Sequence, residues 1–237
     1  MARNAIWKSI AAAVQADIGA GRYRPGDRLP TEAALATRFG VNRHTVRHAL
    51  ADLVALGLVH TRRGSGAFVT ARPTDYPLGR RVRFHQNVAA TGRTASRRIS
   101  RAETVPCDGA EAEALGLSTG APVHVVEGVS LADGQPVAAF RSVFPADRLP
   151  GFLDHVRAQG SVTAALVACG VADYTRAQTR LTAKLATAMQ ALRLDLREGA
   201  PILRSVAVNV DAAGRPVEYG TTWFAGDRVT LTVTPDG

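Results

Sequence analysis

Leu29-Pro-Thr-Glu-Ala-Ala-Leu-Ala-Thr-Arg-Phe-Gly-Val-Asn-Arg-His-Thr-Val-Arg-His-Ala-Leu-Ala-Asp-Leu53 is the stretch whose reading decides the fold. Leu35 and Phe39 stand four apart and so share one side of a first helix. Gly40 takes the positive φ that a sharp turn needs. Asn42 then suits the cap of a second helix, its side chain accepting an N–H of the first turn. In that helix Val46, Ala49, Leu50 and Leu53 form the buried stripe, and Arg43, His44, Arg47 and His48 fall mostly elsewhere. An apolar back with a basic front describes a helix-turn-helix whose second helix enters a DNA groove.

Outward from this stretch, charge follows the same logic. Residues 1–72 hold eleven Lys/Arg against four Asp/Glu, a balance of +7; the rest of the chain holds eighteen against sixteen, +2, together the net +9 of the 237-residue chain. Basic charge concentrated in one third of the sequence points to a polyanionic partner there. Hydrophobic residues at 46% are enough to build cores, and the length suits two domains. No apolar run approaches the roughly eighteen residues of a membrane span, and nothing N-terminal resembles a signal peptide, so a cytoplasmic protein is expected. Cys107 and Cys169 form neither a metal spacing nor a disulfide framework; no metal or cofactor is expected.

Ile6, Ile10, Val14 and Ile18 recur every four residues and mark an amphipathic first helix. After the helix-turn-helix, Leu58–Thr61 and Ala67–Thr70 read as two strands around Arg62-Arg63-Gly64-Ser65-Gly66, a hairpin tip with two cations and two glycines. Beside a helix-turn-helix, such a hairpin is a wing whose arginines neutralise phosphates. Ala71–Arg80, with two prolines and a glycine but no periodicity, reads as linker. The domains are therefore expected at 1–71 and 83–237, with a linker at 72–82.

Gly26-Asp27-x-Leu29-Pro30-Thr31-Glu32, Phe39-Gly40-Val41-Asn42-Arg43-x-Thr45-Val46-Arg47 and Arg63-Gly64-x-Gly66-x-Phe68-Val69 closely resemble the winged helix of GntR-type bacterial transcription regulators. The resemblance implies DNA contacts from Asn42, Arg43, His44, Thr45, Arg47, Arg63 and Gly64. Relatives often carry an Arg after the glutamate matching Glu32, where this chain has Ala33. On the residues alone, Arg43 and Arg47 lie on one helix face and can each offer a bidentate fork to a guanine edge or a phosphate.

Beyond the linker, strands alternate with short helices. Asp108 suits the cap of a helix running to Leu115 and ended by Gly116. Leu115-Gly-Leu117, Gly120-Ala-Pro122-Val123 and Asp133-Gly-x-Pro136-Val137 are echoed by Leu192-Arg-Leu194, Gly199-Ala-Pro201-Ile202 and Gly214-x-Pro216-Val217. Two copies sharing one antiparallel sheet predict an α+β domain with pseudo-twofold character. This half resembles the UTRA effector-binding domain of the histidine-utilisation-repressor branch, whose fold is similar to chorismate lyase; Gly226-Asp227-Arg228 is a further shared motif. Arg83-Phe84-x-Gln86-Asn87 and Gln178-Thr179-Arg180 are similar to the phosphonate-utilisation regulators of that branch.

An effector with a phosphonate or phosphate group needs cations and donors converging on it. Arg141, in an apolar strand, requires an anion or a carboxylate beside it. Arg180 lies in the Gln-Thr-Arg segment; Ser96 and Arg97 stand where the resemblance places phosphate ligands; Tyr219 matches a pocket tyrosine of relatives, and Glu218 suits an amine or an arginine. These six are the candidate effector residues, each with a surface ion pair as the plain alternative. No P-loop, Gly-x-Ser-x-Gly elbow or His-x-x-x-His helix supports the enzyme suggested by the lyase-like fold. The expectation is a homodimeric regulator that binds double-stranded operator DNA and answers to a small anion. A phosphonate, a sugar phosphate and a histidine-pathway metabolite are the candidates.

Overall fold

The computed structural model describes residues 3–62, 64–70, 73–81 and 83–234. The chain divides into two compact units, one ending at Arg72 and the other beginning at Pro73. In the first unit, helices α1 (Arg3–Gly19), α2 (Glu32–Phe39) and α3 (Arg43–Ala55) precede an antiparallel hairpin of β1 (Val59–Arg62) and β2 (Gly66–Val69). Its core joins Ile10 and Val14 of α1 to Leu35 of α2, to Val46, Ala49, Leu50 and Leu53 of α3, and to Val59 and Val69 of the hairpin. Ile6 is exposed despite belonging to the same sequence stripe. A spacing of four advances about 400° around a helix, so residues drift about 40° per step and the far end turns out of the core.

The second unit is organised by a six-stranded antiparallel sheet ordered β4-β5-β6-β9-β8-β7. The strands are β4 (Ala95–Pro106), β5 (Pro122–Ala132), β6 (Gln135–Pro145), β7 (Tyr174–Leu185), β8 (Pro201–Asp211) and β9 (Pro216–Ala225). The two sequence copies occupy the two halves of this order, and the pseudo-twofold axis falls between β6 and β9. Each copy carries one short helix between its first two strands: α5 (Gly109–Leu115) in the first and α8 (Ala188–Leu194) in the second. Both open with a capping box, Asp108 with Glu111 and Thr187 with Gln190.

Period-two alternation splits the sheet into two faces. One face packs Phe140 and Phe144 of β6 against α6 (Phe152–Gln159) and α7 (Val162–Ala168). On that face α4 (Phe84–Ala89) also contributes Phe84 and Val88, packed with Ala138 and Phe224. The other face packs Val143 and Ala139 of β6 against α5 and α8.

The expected linker needs a correction. Thr74–Pro77 is a strand, β3, paired in parallel with β10 (Val229–Thr232), and Tyr76 on it is buried. Two prolines and a short length hid it, because a four-residue edge strand shows almost no period.

Candidate DNA-reading surface and effector cavity

Asn42 caps α3 as expected: its Oδ1 accepts hydrogen bonds from the Thr45 N–H and the Thr45 hydroxyl, both at 2.9 Å. The helix therefore begins at Arg43, and its first two residues, Arg43 and His44, are exposed. Arg43 and His44 have no hydrogen bond or ion pair among the described residues and project from the helix start as unpaired donors. Arg47 is placed differently. Its guanidinium grips Glu32 of α2 through Nε at 3.1 Å and Nη2 at 2.7 Å, and the hydrogen bond from Arg47 holds the Glu32 carboxyl below its ordinary range. This pair fixes the orientation of Arg47 in advance and leaves fewer of its donors free. His48 stacks on Trp7 with ring centroids 4.5 Å apart, so it packs rather than reads.

The wing turns on Gly64 and Gly66, with φ of 75° and 103°. Arg63 lies outside the described residues. Arg28 supplies a cation that the sequence motif left unmarked. Residues 26–29 run along β2, with the Leu29 N–H bonded to the Ala67 carbonyl at 2.8 Å. That register lays the Arg28 guanidinium against Gly66, where an added Cβ would stand 3.2 Å from Arg28 Nε. Nothing in local sequence marks Arg28, since the pairing that places it is between distant residues.

In the second unit the six candidate effector residues do not converge. Alternation sends Arg97 and Glu218 to the α6/α7 face, where they line one cavity, and Arg141 and Tyr219 to the α5/α8 face, where they line another. Ser96 and Arg180 are exposed and line neither. Adjacent residues such as Glu218 and Tyr219 can share a site on a loop, but not on a strand.

The two cavities differ in how their charge is spent. On the α5/α8 face Arg141 is paired with Glu111 at 2.5 Å and with Glu127 at 3.4 Å, and Glu127 also receives Arg101 and Arg193. The carboxylate that the sequence required beside Arg141 is therefore internal, and Arg141 has little left to offer a ligand. Arg228 of the Gly-Asp-Arg motif is likewise structural: it donates to the carbonyls of Pro136, Leu194 and Asp195, closing the end of α8 onto the sheet.

The cavity on the α6/α7 face is narrower but chemically open. Arg97 has no hydrogen bond or ion pair among the described residues, and its Nε is buried without a partner. Its guanidinium carbon lies 4.7 Å from the Phe140 ring centroid and 5.3 Å from that of Phe84, so two aromatic faces hold it in place. Around it stand residues that were not among the six candidate effector residues. Arg83 lies over the Tyr174 ring at 3.6 Å and donates to the Tyr174 carbonyl at 3.1 Å. Arg176 donates to Asn209, which in turn donates to Glu218 Oε2 at 2.6 Å. Burial, and then the nearby Glu218 carboxylate, raise the Tyr174 hydroxyl above its ordinary pKa, so it stays a neutral donor, hydrogen-bonded to Thr163 at 3.1 Å. Tyr76 of β3 completes the wall. Such an arrangement can bind an anion; among the described residues there is no His, Cys, Asp and Glu cluster suited to a metal.

Two family models match this chain: "Bacterial regulatory proteins, gntR family" over residues 7–69 and "UTRA domain" over residues 90–230. The chain belongs to the GntR family and carries a UTRA domain. An HTH-type transcriptional regulator of Rhizobium meliloti (strain 1021) is 39% identical over 97% of this chain and 94% of its own. The transcriptional regulator PhnF of Escherichia coli (strain K12) is 33% identical over 96% and 94%. The crystal structure of PhnF from Mycobacterium smegmatis superposes with a TM-score of 0.66 at 28% identity, covering 96% of this chain and 99% of that one. This GntR regulator is accordingly a DNA-binding transcription factor and not an enzyme; its basic winged unit binds DNA and its UTRA unit binds a small molecule. No helix among the described residues is long and apolar enough to cross a membrane.

Proposed function

We propose that this GntR regulator is a homodimeric repressor of a phosphonate uptake or catabolism operon, released from its operator by a small anion. That anion binds on the α6/α7 face of the sheet. The observation that carries the reading is Arg97, a guanidinium with a buried unpaired Nε, held between two aromatic rings in a cavity lined by polar groups. A buried donor without a partner is costly, and an arriving anion removes that cost with charge-assisted hydrogen bonds. Similarity to relatives named PhnF favours a phosphonate over the other candidate anions.

On the DNA side, Arg43, His44 and Arg47 read the major groove, Asn42 and Thr45 fix the helix start, and Arg63, Gly64 and Arg28 approach the backbone at the wing. Release requires the effector to favour one arrangement of the two units over another. Tyr76 lines the cavity only four residues after Arg72 in the sequence, so the effector meets a segment covalently close to the winged unit.

A thermal-shift titration of the full chain tests the reading, with alkylphosphonates, phosphorylated sugars and inorganic phosphate as probes. Concentration-dependent stabilisation by a phosphonate, coupled to loss of operator binding, is the expected result. Stabilisation by a phosphorylated sugar alone would replace the phosphonate assignment, and no response to any anion would remove the cavity's assigned role.

A further inference from the structure

The cavity that holds Arg97 carries a second charge, of opposite sign, that an anion leaves unused. Glu218 on β9 lines the same cavity and forms no ion pair among the described residues. Its Oε2 accepts a hydrogen bond from Asn209 Nδ2 at 2.6 Å, and its Oε1 accepts none among the described residues. Asn209, only 6% exposed, accepts from Arg176 Nε at 3.3 Å on its other end. The Asn209 amide thus keeps a guanidinium and a carboxylate apart instead of letting them neutralise each other. Arg83 is paired with Asp173 at 3.3 Å, whereas Arg97 and Arg176 have no ion pair among the described residues. Two unpaired cations suit a dianion, and one unpaired carboxylate suits a monocation.

The floor between these charges is bare. Gly220 of β9 has no positive φ, so its backbone does not demand a glycine; a Cβ there would stand 3.4 Å from Glu218 Oε1 and 3.8 Å from Ser142 Oγ. Ser142 and Ser205 also line the cavity, at 7% and 4% exposure, and neither hydroxyl has a hydrogen-bond partner among the described residues. Buried hydroxyls without partners are positioned to bond a ligand. Arg97 rests on the Phe140 ring, and Glu218 Oε1 overlooks Gly220, which pairs with Ser142. Phe140 and Ser142 are consecutive same-face residues of β6, about 6.8 Å apart. That spacing suits an anionic group and an ammonium joined by about two or three carbons, with a hydrogen bond at each end. The free volume, about 70 Å³, is small beside the roughly 300–1,000 Å³ of ordinary ligand pockets and favours a ligand of few heavy atoms.

We infer that the effector is a small zwitterion, a phosphonate or phosphate group joined by a short chain to a protonated amine. Arg97 and Arg176 take its anionic end, and Glu218, held by Asn209, takes its ammonium. The inference rests on the anion-binding reading above and names the ligand's second group. A plain alkylphosphonate leaves Glu218 unpaired and is repelled by it; an ammonium on the same molecule reverses the sign of that interaction.

Isothermal titration calorimetry of the full chain tests it with two near-isosteric probes, 2-aminoethylphosphonate and n-propylphosphonate. The pH is chosen so that both phosphonates are dianions and the amine is protonated. The aminated probe is expected to bind about 10-fold tighter or more, the lower end for one charge-assisted hydrogen bond. Glu218→Gln is expected to remove most of that preference while still binding n-propylphosphonate, which shows that the variant's site is folded. Equal affinities for the two probes in the parent chain would overturn the zwitterion and leave the anion site standing. A preference that survives Glu218→Gln would overturn Glu218 as the ammonium's partner. O-phosphoethanolamine binding tighter than 2-aminoethylphosphonate would support the zwitterion and overturn the phosphonate assignment. No binding of any of these probes or of inorganic phosphate would overturn both readings.

Discussion

Replacing Arg97 by methionine separates the cost of a buried cation from its use. Without ligand, Arg97 makes two cation–π contacts, at 4.7 Å to Phe140 and 5.3 Å to Phe84, and leaves its Nε buried and unsatisfied. The contacts stabilise the fold by about 0.5–1 kcal/mol each, and the unsatisfied donor costs about 1–3 kcal/mol. These opposing terms nearly cancel, and methionine fills much of the same volume between the rings. Urea unfolding of the ligand-free Arg97→Met chain should therefore differ from the parent by no more than about 1 kcal/mol. Effector binding should behave otherwise. Hydrogen bonds from a charged donor are worth about 1.5–3 kcal/mol, so the effector's dissociation constant should rise roughly 10- to 150-fold, measured by calorimetry or by its effect on operator binding. Destabilisation beyond about 3 kcal/mol would identify Arg97 as a structural residue whose partner lies within the fold. Unchanged effector affinity would refute its role as the anion's ligand.

Three further outcomes follow from the same geometry. Arg43→Ala should cost about 1–3 kcal/mol of operator affinity and relax base preference at one position if the free guanidinium meets a base edge, as a gel-shift series on substituted operators would reveal. Gly128→Ala should destabilise the UTRA unit by about 3 kcal/mol, the upper end for overpacking, because the new Cβ would lie 2.4 Å from the Arg98 carbonyl oxygen and 3.0 Å from Phe140; chemical denaturation measures it. Burial, and then the field of Arg97, hold His85 below its ordinary pKa, so the folded state binds its proton less readily than the unfolded chain. Stability from this group is lost as pH falls through the unfolded value of about 6.5. In an NMR titration Arg97→Met should raise the His85 midpoint, yet leave it depressed, since burial persists.

Much of the winged unit was legible in the sequence because its signals are local. The Asn42 cap, the Gly40 turn and the Val46-to-Leu53 stripe each depend on residues within one or two helical turns. The same holds for the capping box at Asp108 and for the repeat, whose strands and turns recur in matching order. The effector site was legible only in part. Arg97 and Glu218 do line one cavity, but Tyr174 and Arg176 come to it from β7 at the far edge of the sheet and Arg83 from the start of α4, and only the tertiary fold assembles them.

What the sequence determined by itself was the kind of protein: a basic helix-turn-helix with a wing, joined to a duplicated α+β domain. It did so through hydrophobic period, caps and turn residues, which act over a few positions. Tertiary structure alone decided which charges are spent and which are free. Sequence alone does not show which of Arg141 and Arg97, both arginines on strands, is neutralised within the fold. Strand pairing sets Arg141 beside Glu127, and packing of α5 adds Glu111, so its charge is neutralised internally. On the opposite face Arg97 rests against two aromatic rings and has no ion pair among the described residues, so its charge remains for a ligand. Period-two alternation divides the faces, but the carboxylates come from segments brought together only by the fold.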